Sequence, residues 1–202
     1  MILPTINLEK NLWKQGFSSV CGIDEVGRGA FAGPLVVCAA IFPRNCIPII
    51  GVADSKLLTP LTRKTLSREL LRCATAVGYG SANPQYIDSY GISTATQYAI
   101  RCAINSLPMI PDYYLIDAFK IKDVTESQQH AIIKGDQTVY SIAAASILAK
   151  VYRDELMVKL HDEFAAYRWN SNKGYGTADH RKAIRLHGLT EHHRKSFIHE
   201  GI

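Results

Sequence analysis

The chain alternates between apolar runs that suit strands and amphipathic stretches that suit helices. Two apolar runs come first, over residues 19–23 and 35–42, and a glycine-rich turn over 27–34 separates them. Apolar runs of this length, bounded by turn residues, predict the two strands of one hairpin. The elements predicted after them are a helix over 60–73, a strand over 76–80, a short helix opening at 83, a helix over 92–107, strands over 113–117 and 129–133, and a helix over about 140–164.

The last of these helices carries small residues on its apolar face. Ile142, Ala145, Ala149, Tyr152 and Leu156 recur at spacings of three and four, which places them on one side of a helix. Small side chains there allow the helix to pack closely against a sheet. Three early strands, followed by strands that alternate with helices, predict an α/β fold with a mixed central sheet flanked by helices.

Length and composition are ordinary for a globular protein. The 202 residues are enough to bury one full core, 47% of them are hydrophobic, and 20% are charged. The five cysteines are scattered and form no C-x-x-C pair, which favours reduced thiols. We expect a cytoplasmic protein without membrane contact, because the first residues lack the apolar core of a signal peptide and no apolar run could span a bilayer.

The net charge of +5 gives the chain a mild preference for polyanionic partners. Much of the positive charge lies in the C-terminal third, where Arg181, Arg185, Arg194 and Lys195 accompany several histidines. The histidines do not follow a zinc-binding spacing. We expect the charged residues and the histidines of this segment either to contact phosphates or to form a solvated face.

Four acidic residues lie at or next to the ends of predicted strands. Asp24 and Glu25 end the first strand, Asp117 closes another, and Asp136 follows the last strand and precedes the long helix. Asp136 could equally cap that helix, and an Asp-Glu pair is often simply solvated. Carboxylate oxygens at neighbouring strand ends are, however, the ligands that Mg²⁺ and Mn²⁺ prefer. Adjacent strand residues point to opposite faces, so Asp24 is the strongest candidate ligand of the pair.

The segment Gly27-Arg28-Gly29 directly follows the acid pair. Glycines beside an arginine let backbone amides approach a polyanion closely, and the arginine adds fixed charge. The spacing of these glycines and Gly33 also loosely resembles a dinucleotide-binding fingerprint, but that motif requires a helix where this chain has the apolar run 35–42. Acids and a glycine turn at one place indicate metal-dependent phosphodiester chemistry.

These motifs together closely resemble those of bacterial ribonuclease HII, in the type 2 ribonuclease H family. The matching segments run in the family's order and cover nearly the whole chain. A small departure is Ala30, where many members have proline or cysteine. The segments are 22–29 (GIDEVGRG), 32–36 (AGPLV), 54–58 (DSKLL), 116–118 (IDA), 134–136 (KGD), 142–154 (IAAASILAKVYRD), 173–177 (KGYGT) and 191–197 (EHHRKSF).

The resemblance implies a ribonuclease H-like fold, with a catalytic domain over 1–165 and a small helical, substrate-contacting segment over 166–202 packed on it. It implies an endoribonuclease that hydrolyses the RNA strand of RNA–DNA hybrids and nicks duplex DNA 5′ to single ribonucleotides. We expect a monomer that uses two ions of Mn²⁺ or Mg²⁺ and leaves 5′-phosphate and 3′-hydroxyl ends.

The same resemblance assigns roles to individual residues. The glycine turn would read the 2′-hydroxyl, and the tyrosine of the 173–177 segment would pack at the RNA–DNA junction. The implied catalytic and metal-binding acids are Asp24, Glu25, Asp117 and Asp136. The predicted substrate-binding residues are Gly27, Arg28, Gly29, Lys56, Tyr175 and Arg194.

Two other functions fit parts of the sequence. A nucleic-acid-binding module without catalysis would explain the basic charge but not the acids at strand ends. A different metal-dependent nuclease of the same fold, such as a junction resolvase, would explain the acids but not the glycine-arginine-glycine turn or Tyr175. Asp154 is expected to form a surface ion pair, with a supporting role near the metals as the alternative.

Overall fold

The fold is built on a five-stranded mixed sheet with helices on both faces. A computed structural model describes residues 3–198. Residues 1–2 of the predicted catalytic domain and residues 199–202 of the predicted C-terminal segment therefore lie outside the described residues. The strands are β1 Val20–Val26, β2 Leu35–Ile41, β3 Ala76–Ala82, β4 Tyr113–Asp117 and β5 Gln129–Ile132. The helices are α1 Asn7–Lys14, α2 Pro60–Cys73, α3 Pro84–Asn105, α4 Gly135–Thr138, α5 Tyr140–Glu163, α6 Trp169–Asn172 and α7 Ala178–His187.

β1 is the central strand, in the order β3-β2-β1-β4-β5. It pairs antiparallel with β2 and parallel with β4, while β2–β3 is antiparallel and β4–β5 is parallel. The β1–β2 pair is the predicted hairpin, and it rules out the dinucleotide-binding fold, because an antiparallel strand follows the glycines. Pairing of β1 with β4 ends at Ile23 and Ile116, whereas β1 continues to Val26. The last residues of β1 therefore remain paired with β2 but extend beyond the ladder that β1 forms with β4.

Close packing of helices on the sheet depends on glycines in the strands. A Cβ at Gly22 would collide with the backbone of Ser141, so glycine lets the first turn of α5 lie directly on β1. On the other face, Gly78 and Gly80 of β3 lie against the backbone of α3. The small residues of α5 are fully buried, as the sequence pattern predicts. This contact fixes the end of β1 relative to α5.

The helix predictions agree with the structure, with small differences at their ends. α5 ends at Glu163, one residue before the predicted bound. The two helices predicted around residues 83–107 form one segment that is interrupted at Gly91, where φ is 75° and ψ is 159°. Thr59 caps α2 by accepting the Thr62 N–H at 3.2 Å. The sequence analysis did not predict α1.

The C-terminal residues pack on the sheet domain through their own small core. Trp169 is fully buried with Met157 of α5, Ile184 of α7 and Ala32 of the β1–β2 turn. An isolated bridge also pairs Ala32 with His193. The C-terminal segment therefore rests directly on the glycine turn. None of the helices within residues 3–198 has an apolar stretch long enough to cross a membrane.

Candidate active site

A cleft of about 490 Å³ opens at the carboxyl-terminal ends of β1 and β4. Asp136 borders it through a contact with Lys56, and Arg194 is buried behind its wall. The structure thus brings most of the predicted site residues to one place. Those that line the cleft are Asp24, Glu25, Gly27, Arg28, Gly29, Lys56, Asp117 and Tyr175.

Asp24 and Glu25 reach the cleft from opposite faces of β1. Asp24 is only 5% exposed, lies on the α5 side next to Ser146, and accepts the Glu25 N–H at 2.8 Å. Burial, followed by the charge of Glu25, raises the pKa of Asp24 well above its usual range. Burial and the charge of Asp117 raise the pKa of Glu25 to about 7.

Of the other two acids, Asp117 is the last residue of β4 and Asp136 comes shortly after the end of β5. Ala118 has a φ of 59°, a left-handed conformation that turns the chain sharply after Asp117. The Asp117 carboxylate accepts the Gly135 N–H at 2.7 Å. Asp136 lies buried in the first turn of α4 and does not cap the long helix α5, since Val139 occupies the N-cap position of that helix. The alternative role of Asp136 as a cap is therefore wrong.

Lys56 lies at the rim of the cleft, in contact with two of the nearby acids. The Lys56 Nζ lies 3.3 Å from Asp136 Oδ2 and 3.9 Å from Asp54 Oδ1, while its side chain remains 78% exposed. Asp54 also accepts the Lys56 N–H, which fixes the short helical turn that presents this lysine. An exposed ammonium at the rim is placed to bind a phosphate as well as to balance the acids.

The donor set suits a hard divalent cation. Asp24, Glu25, Asp117 and Asp136 offer only oxygen ligands, and burial, followed by the charges of neighbouring acids, raises the pKa values of the first three. Within residues 3–198, however, no three acidic, histidine or cysteine side chains are grouped closely enough to hold a metal ion. Convergence of the four acids on metal ions therefore stays a prediction.

The Gly27-Arg28-Gly29 turn forms one wall of the cleft. Gly27 has a φ of 87°, and a Cβ there would collide with the Arg153 guanidinium. Gly29 is exposed, and a Cβ there would meet only open space. The Arg28 guanidinium lies over the Phe119 ring, 4.3 Å from its centroid. The turn therefore presents bare backbone at Gly29 and a fixed positive charge beside it.

Tyr175 faces the same cleft from a loop that is held against the glycine turn. The Gly174 carbonyl accepts the N–H groups of Phe31 and Ala32 at 2.8 and 3.1 Å. Gly174 has a φ of 81°, and a Cβ there would collide with the Ala32 carbonyl. The Tyr175 side chain is 37% exposed, and the Arg153 guanidinium lies 5.4 Å from its ring centroid. The ring is thus both supported from behind and open to the cleft.

The sequence analysis predicts that Arg194 contacts substrate, but its position in the structure does not fit this role. Its side chain is completely buried, and its guanidinium donates to the carbonyls of Arg28 and Gly33. A phosphate cannot reach a guanidinium that protein carbonyls already enclose. The other predicted cations of the segment, Arg181, Arg185 and Lys195, are exposed.

Two of the C-terminal histidines are also buried, which contradicts the expectation of phosphate or solvent contact. His180 and His193 are at most 1% exposed, and their Nε2 atoms lie 3.2 Å apart. Trp169 donates to His180 Nε2 at 3.0 Å, so the proton of His180 is on Nδ1, which donates to the Tyr175 carbonyl. His193 accepts the Thr190 N–H on Nδ1 and so donates through Nε2 to His180. The network holds the Tyr175 backbone.

Asp154 forms the expected ion pair. Lys150 Nζ lies 2.7 Å from Asp154 Oδ1, one helical turn away on α5, and Arg63 lies 3.9 Å from Oδ2. Sequence reasoning gave no role to Arg153, its buried neighbour. A single arginine inside a helical segment carries no local signal of the carbonyls that it contacts elsewhere in the chain.

Comparisons with known proteins agree with this geometry. Residues 21–200 match the family described as Ribonuclease HII. The Ribonuclease HII of Herpetosiphon aurantiacus is 40% identical, with 95% of this chain and 94% of that protein covered. The crystal structure of the ribonuclease H2 from Pyrococcus horikoshii OT3 superposes with a TM-score of 0.69 at 26% identity, over 88% of this chain and 93% of that one.

A second solved structure supports the fold alone. The crystal structure of Bst-RNase HIII in complex with Mn²⁺ gives a TM-score of 0.62 at 23% identity, over 85% of this chain and 70% of that one. The predicted α/β, ribonuclease H-like fold is confirmed, and a binding module without catalysis is not what the chain resembles. The chain belongs to the ribonuclease HII family and is a metal-dependent ribonuclease of that family.

Proposed function

We propose that this cleft hydrolyses the RNA strand of RNA–DNA hybrids and nicks duplex DNA on the 5′ side of a single ribonucleotide. The observation that carries the proposal is that Asp24, Glu25 and Asp117 share one cleft with the exposed Gly29 and the Tyr175 ring. The first group suits phosphodiester hydrolysis, and the second suits recognition of a sugar. The relatives named Ribonuclease HII support both parts.

Asp24, Glu25, Asp117 and Asp136 would hold two ions of Mg²⁺ or Mn²⁺, and the Mn²⁺ complex of Bst-RNase HIII supports this choice of cation. Such ions, when bound, activate water and stabilise the charge that develops on a phosphodiester. In the reaction a water oxygen bonds to phosphorus and the bond from phosphorus to the 3′-oxygen breaks. The products carry 5′-phosphate and 3′-hydroxyl ends, because the 2′-hydroxyl is recognised and does not attack.

The residues around the acids would bind and orient the nucleic acid as a monomer. Lys56 is 78% exposed at the rim and would contact a phosphate near the cleavage point. Arg28, fixed over Phe119, would contact another. The C-terminal segment, with Arg181 and Arg185 exposed on α7, would contact the duplex further away. These contacts place the scissile bond without reading sequence.

Selectivity for ribose would come from the glycine turn and the tyrosine. The acids and their ions treat any phosphodiester alike, so a 2′-hydroxyl must be sensed elsewhere. The Gly29 backbone has no side chain between it and the cleft, and the Tyr175 ring can pack on the sugar at the junction. A site that hydrogen-bonds one hydroxyl can reject the analogue without it by roughly 10⁴-fold or more, because its own polar groups are then unpaired.

The test uses three duplexes of one sequence: all DNA, DNA with one ribonucleotide, and a long RNA–DNA hybrid. With Mn²⁺ or Mg²⁺ we expect one cut directly 5′ to the ribonucleotide, cleavage of the hybrid, and no cut in all-DNA duplex. Chelation of the metal should stop both reactions. Comparable cleavage of all-DNA duplex would exclude ribose recognition and favour a different nuclease of this fold.

Tyr175 can be tested within the same assay. We expect Tyr175→Ala to slow the cut at the single ribonucleotide more than cleavage of the hybrid, where neighbouring 2′-hydroxyls offer other contacts. Tyr175→Phe keeps the ring and serves as the matched control, which should stay close to wild type on both substrates. Equal losses on both substrates for the alanine variant would remove Tyr175 from junction reading.

A further inference from the structure

Two arginines are buried behind the cleft wall without a carboxylate partner. Arg153 and Arg194 are both fully buried, and neither forms an ion pair with any acid within residues 3–198. Burial lowers the pKa of each, and the charge of Arg153 adds to this effect on Arg194. Two buried guanidinium groups near each other, neither in a direct ion pair, oppose folding unless their donors are well used. Such an arrangement calls for an explanation beyond packing.

Their donors go to backbone carbonyls of the segments that form the cleft wall. Arg194 donates to the Arg28 carbonyl at 2.9 Å and twice to the Gly33 carbonyl, at 2.9 and 3.0 Å. Arg153 donates to the carbonyls of Ala32, Pro34 and Lys173. These three bonds measure 3.1, 2.9 and 2.9 Å.

The bond from Arg194 to the Arg28 carbonyl sets the direction of the next amide. In a planar trans peptide the C=O and the following N–H point in opposite directions. With the Arg28 carbonyl held inward by Arg194, the Gly29 N–H points away from the protein interior. Gly29 is exposed at the cleft, so this amide is aimed at the place where a substrate sugar would lie.

Arg153 joins the glycine turn to the tyrosine loop. Its bonds to the carbonyls of Ala32 and Lys173 tie the two segments together. Gly27 rests directly against its guanidinium, since a Cβ there would collide with it. The same group supports the Tyr175 ring from 5.4 Å. One side chain therefore sets the distance between the two features that face a sugar.

We propose that Arg153 and Arg194 are positioning residues for ribose recognition, acting through the backbone of the glycine turn and the tyrosine loop. The inference rests on the proposed function, and it replaces the phosphate contact that the sequence suggests for Arg194. It also explains why both groups are arginines, because a guanidinium spreads its donors over three nitrogens in a rigid plane, whereas the donors of an ammonium all start from one atom.

The test compares Arg153→Lys and Arg194→Lys with wild type and with Arg44→Lys as a matched control. Arg44 also donates to backbone carbonyls, those of Gly16 and Phe17, but it does not line the cleft. For each protein we measure the cleavage rate at a single ribonucleotide, the cleavage rate of a long hybrid, and the salt dependence of substrate binding. Lysine keeps the charge but replaces the rigid fork of donors with a single nitrogen, which cannot reproduce the set of carbonyl contacts.

We expect the ratio of the single-ribonucleotide rate to the hybrid rate to fall about tenfold or more in both variants and to stay unchanged in Arg44→Lys. The salt slope should be the same in all four proteins. Equal losses on the two substrates, an unchanged ratio, or a salt slope reduced by about one would each overturn the inference, the last by pointing to a phosphate contact. Failure of wild type itself to prefer the ribonucleotide would instead overturn the proposed function.

Discussion

Glu25 gives the sharpest test of the charge balance in the cleft. Burial and the nearby Asp117 raise its pKa to about 7 from an ordinary 4.5. The folded state therefore holds this proton more tightly than the unfolded chain does. Ionisation of Glu25 costs no stability below about pH 4.5, and the cost grows until the pH passes about 7, where it reaches roughly 3 kcal/mol. Glutamine has the shape of the protonated acid and cannot ionise.

Glu25→Gln should therefore stabilise the metal-free protein in alkaline solution and change nothing in acid. At about pH 8 with a chelator we expect the free energy of unfolding of the variant to exceed that of wild type by up to roughly 3 kcal/mol. For a chain of this size, this corresponds to a melting temperature higher by roughly 6–12 °C. At about pH 4.5 the two proteins should be equally stable. Urea or thermal unfolding, followed by circular dichroism, measures both differences.

Metal should reverse the order of stability. If Glu25 is a ligand, saturating Mn²⁺ stabilises wild type through binding to the folded state and stabilises the variant less. Glu69→Gln, at an exposed position on α2, is the control and should match wild type under all conditions. A Glu25→Gln protein that is less stable than wild type at about pH 8 without metal would refute the reasoning, because it would mean that the ionised carboxylate is favourably paired.

Three further outcomes can be checked with single variants. Asp24→Asn should slow hybrid cleavage roughly a thousandfold with an unchanged fold, the scale of losing a fixed charge at the reacting group, and near-normal turnover would remove Asp24 from the metal site. Burial and the neighbouring His180 lower the pKa of His193 to about 4 from 6.5. The contribution of neutral His193 to the free energy of unfolding is therefore complete above about pH 6.5, and roughly 3 kcal/mol of it is lost as the pH falls toward about 4. His193→Gln should make the free energy of unfolding less dependent on pH across that range. Arg185→Gln should lower the salt slope of substrate binding by about one, whereas an unchanged slope would identify a solvated face.

The sheet could be predicted from sequence because its signals are local. Continuous apolar runs define β1, β2 and β4, and the turn between the first two contains the glycines that a hairpin needs. α1 has no such signal, because an eight-residue helix is marginal alone. It is held by a distant contact, in which buried Glu9 accepts the Ser141 N–H at the start of α5, at 2.8 Å.

The residues of the candidate site also include some with a local sequence signal and others that depend on distant contacts. The acids could be located because each lies close to the end of an apolar strand, and the glycine turn because its three residues are adjacent. Burial of Arg194 could not be inferred, because arginine is almost never fully buried and usually signals surface charge. Its partners are backbone carbonyls, which leave no mark in the sequence. His180 and His193 are hidden for the same reason, since their hydrogen bonds become evident only when α7 is docked.

The bonds of Arg194 also bear on the order in which the protein matures. They join positions 166 and 161 residues apart, to Arg28 and Gly33. Contacts so distant along the chain form after local ones, because loop closure must be overcome first. During synthesis all five strands and their acids leave the ribosome before Arg194 does. On the roles proposed for these residues, each molecule gains the means to bind metal before it gains the means to distinguish ribose from deoxyribose.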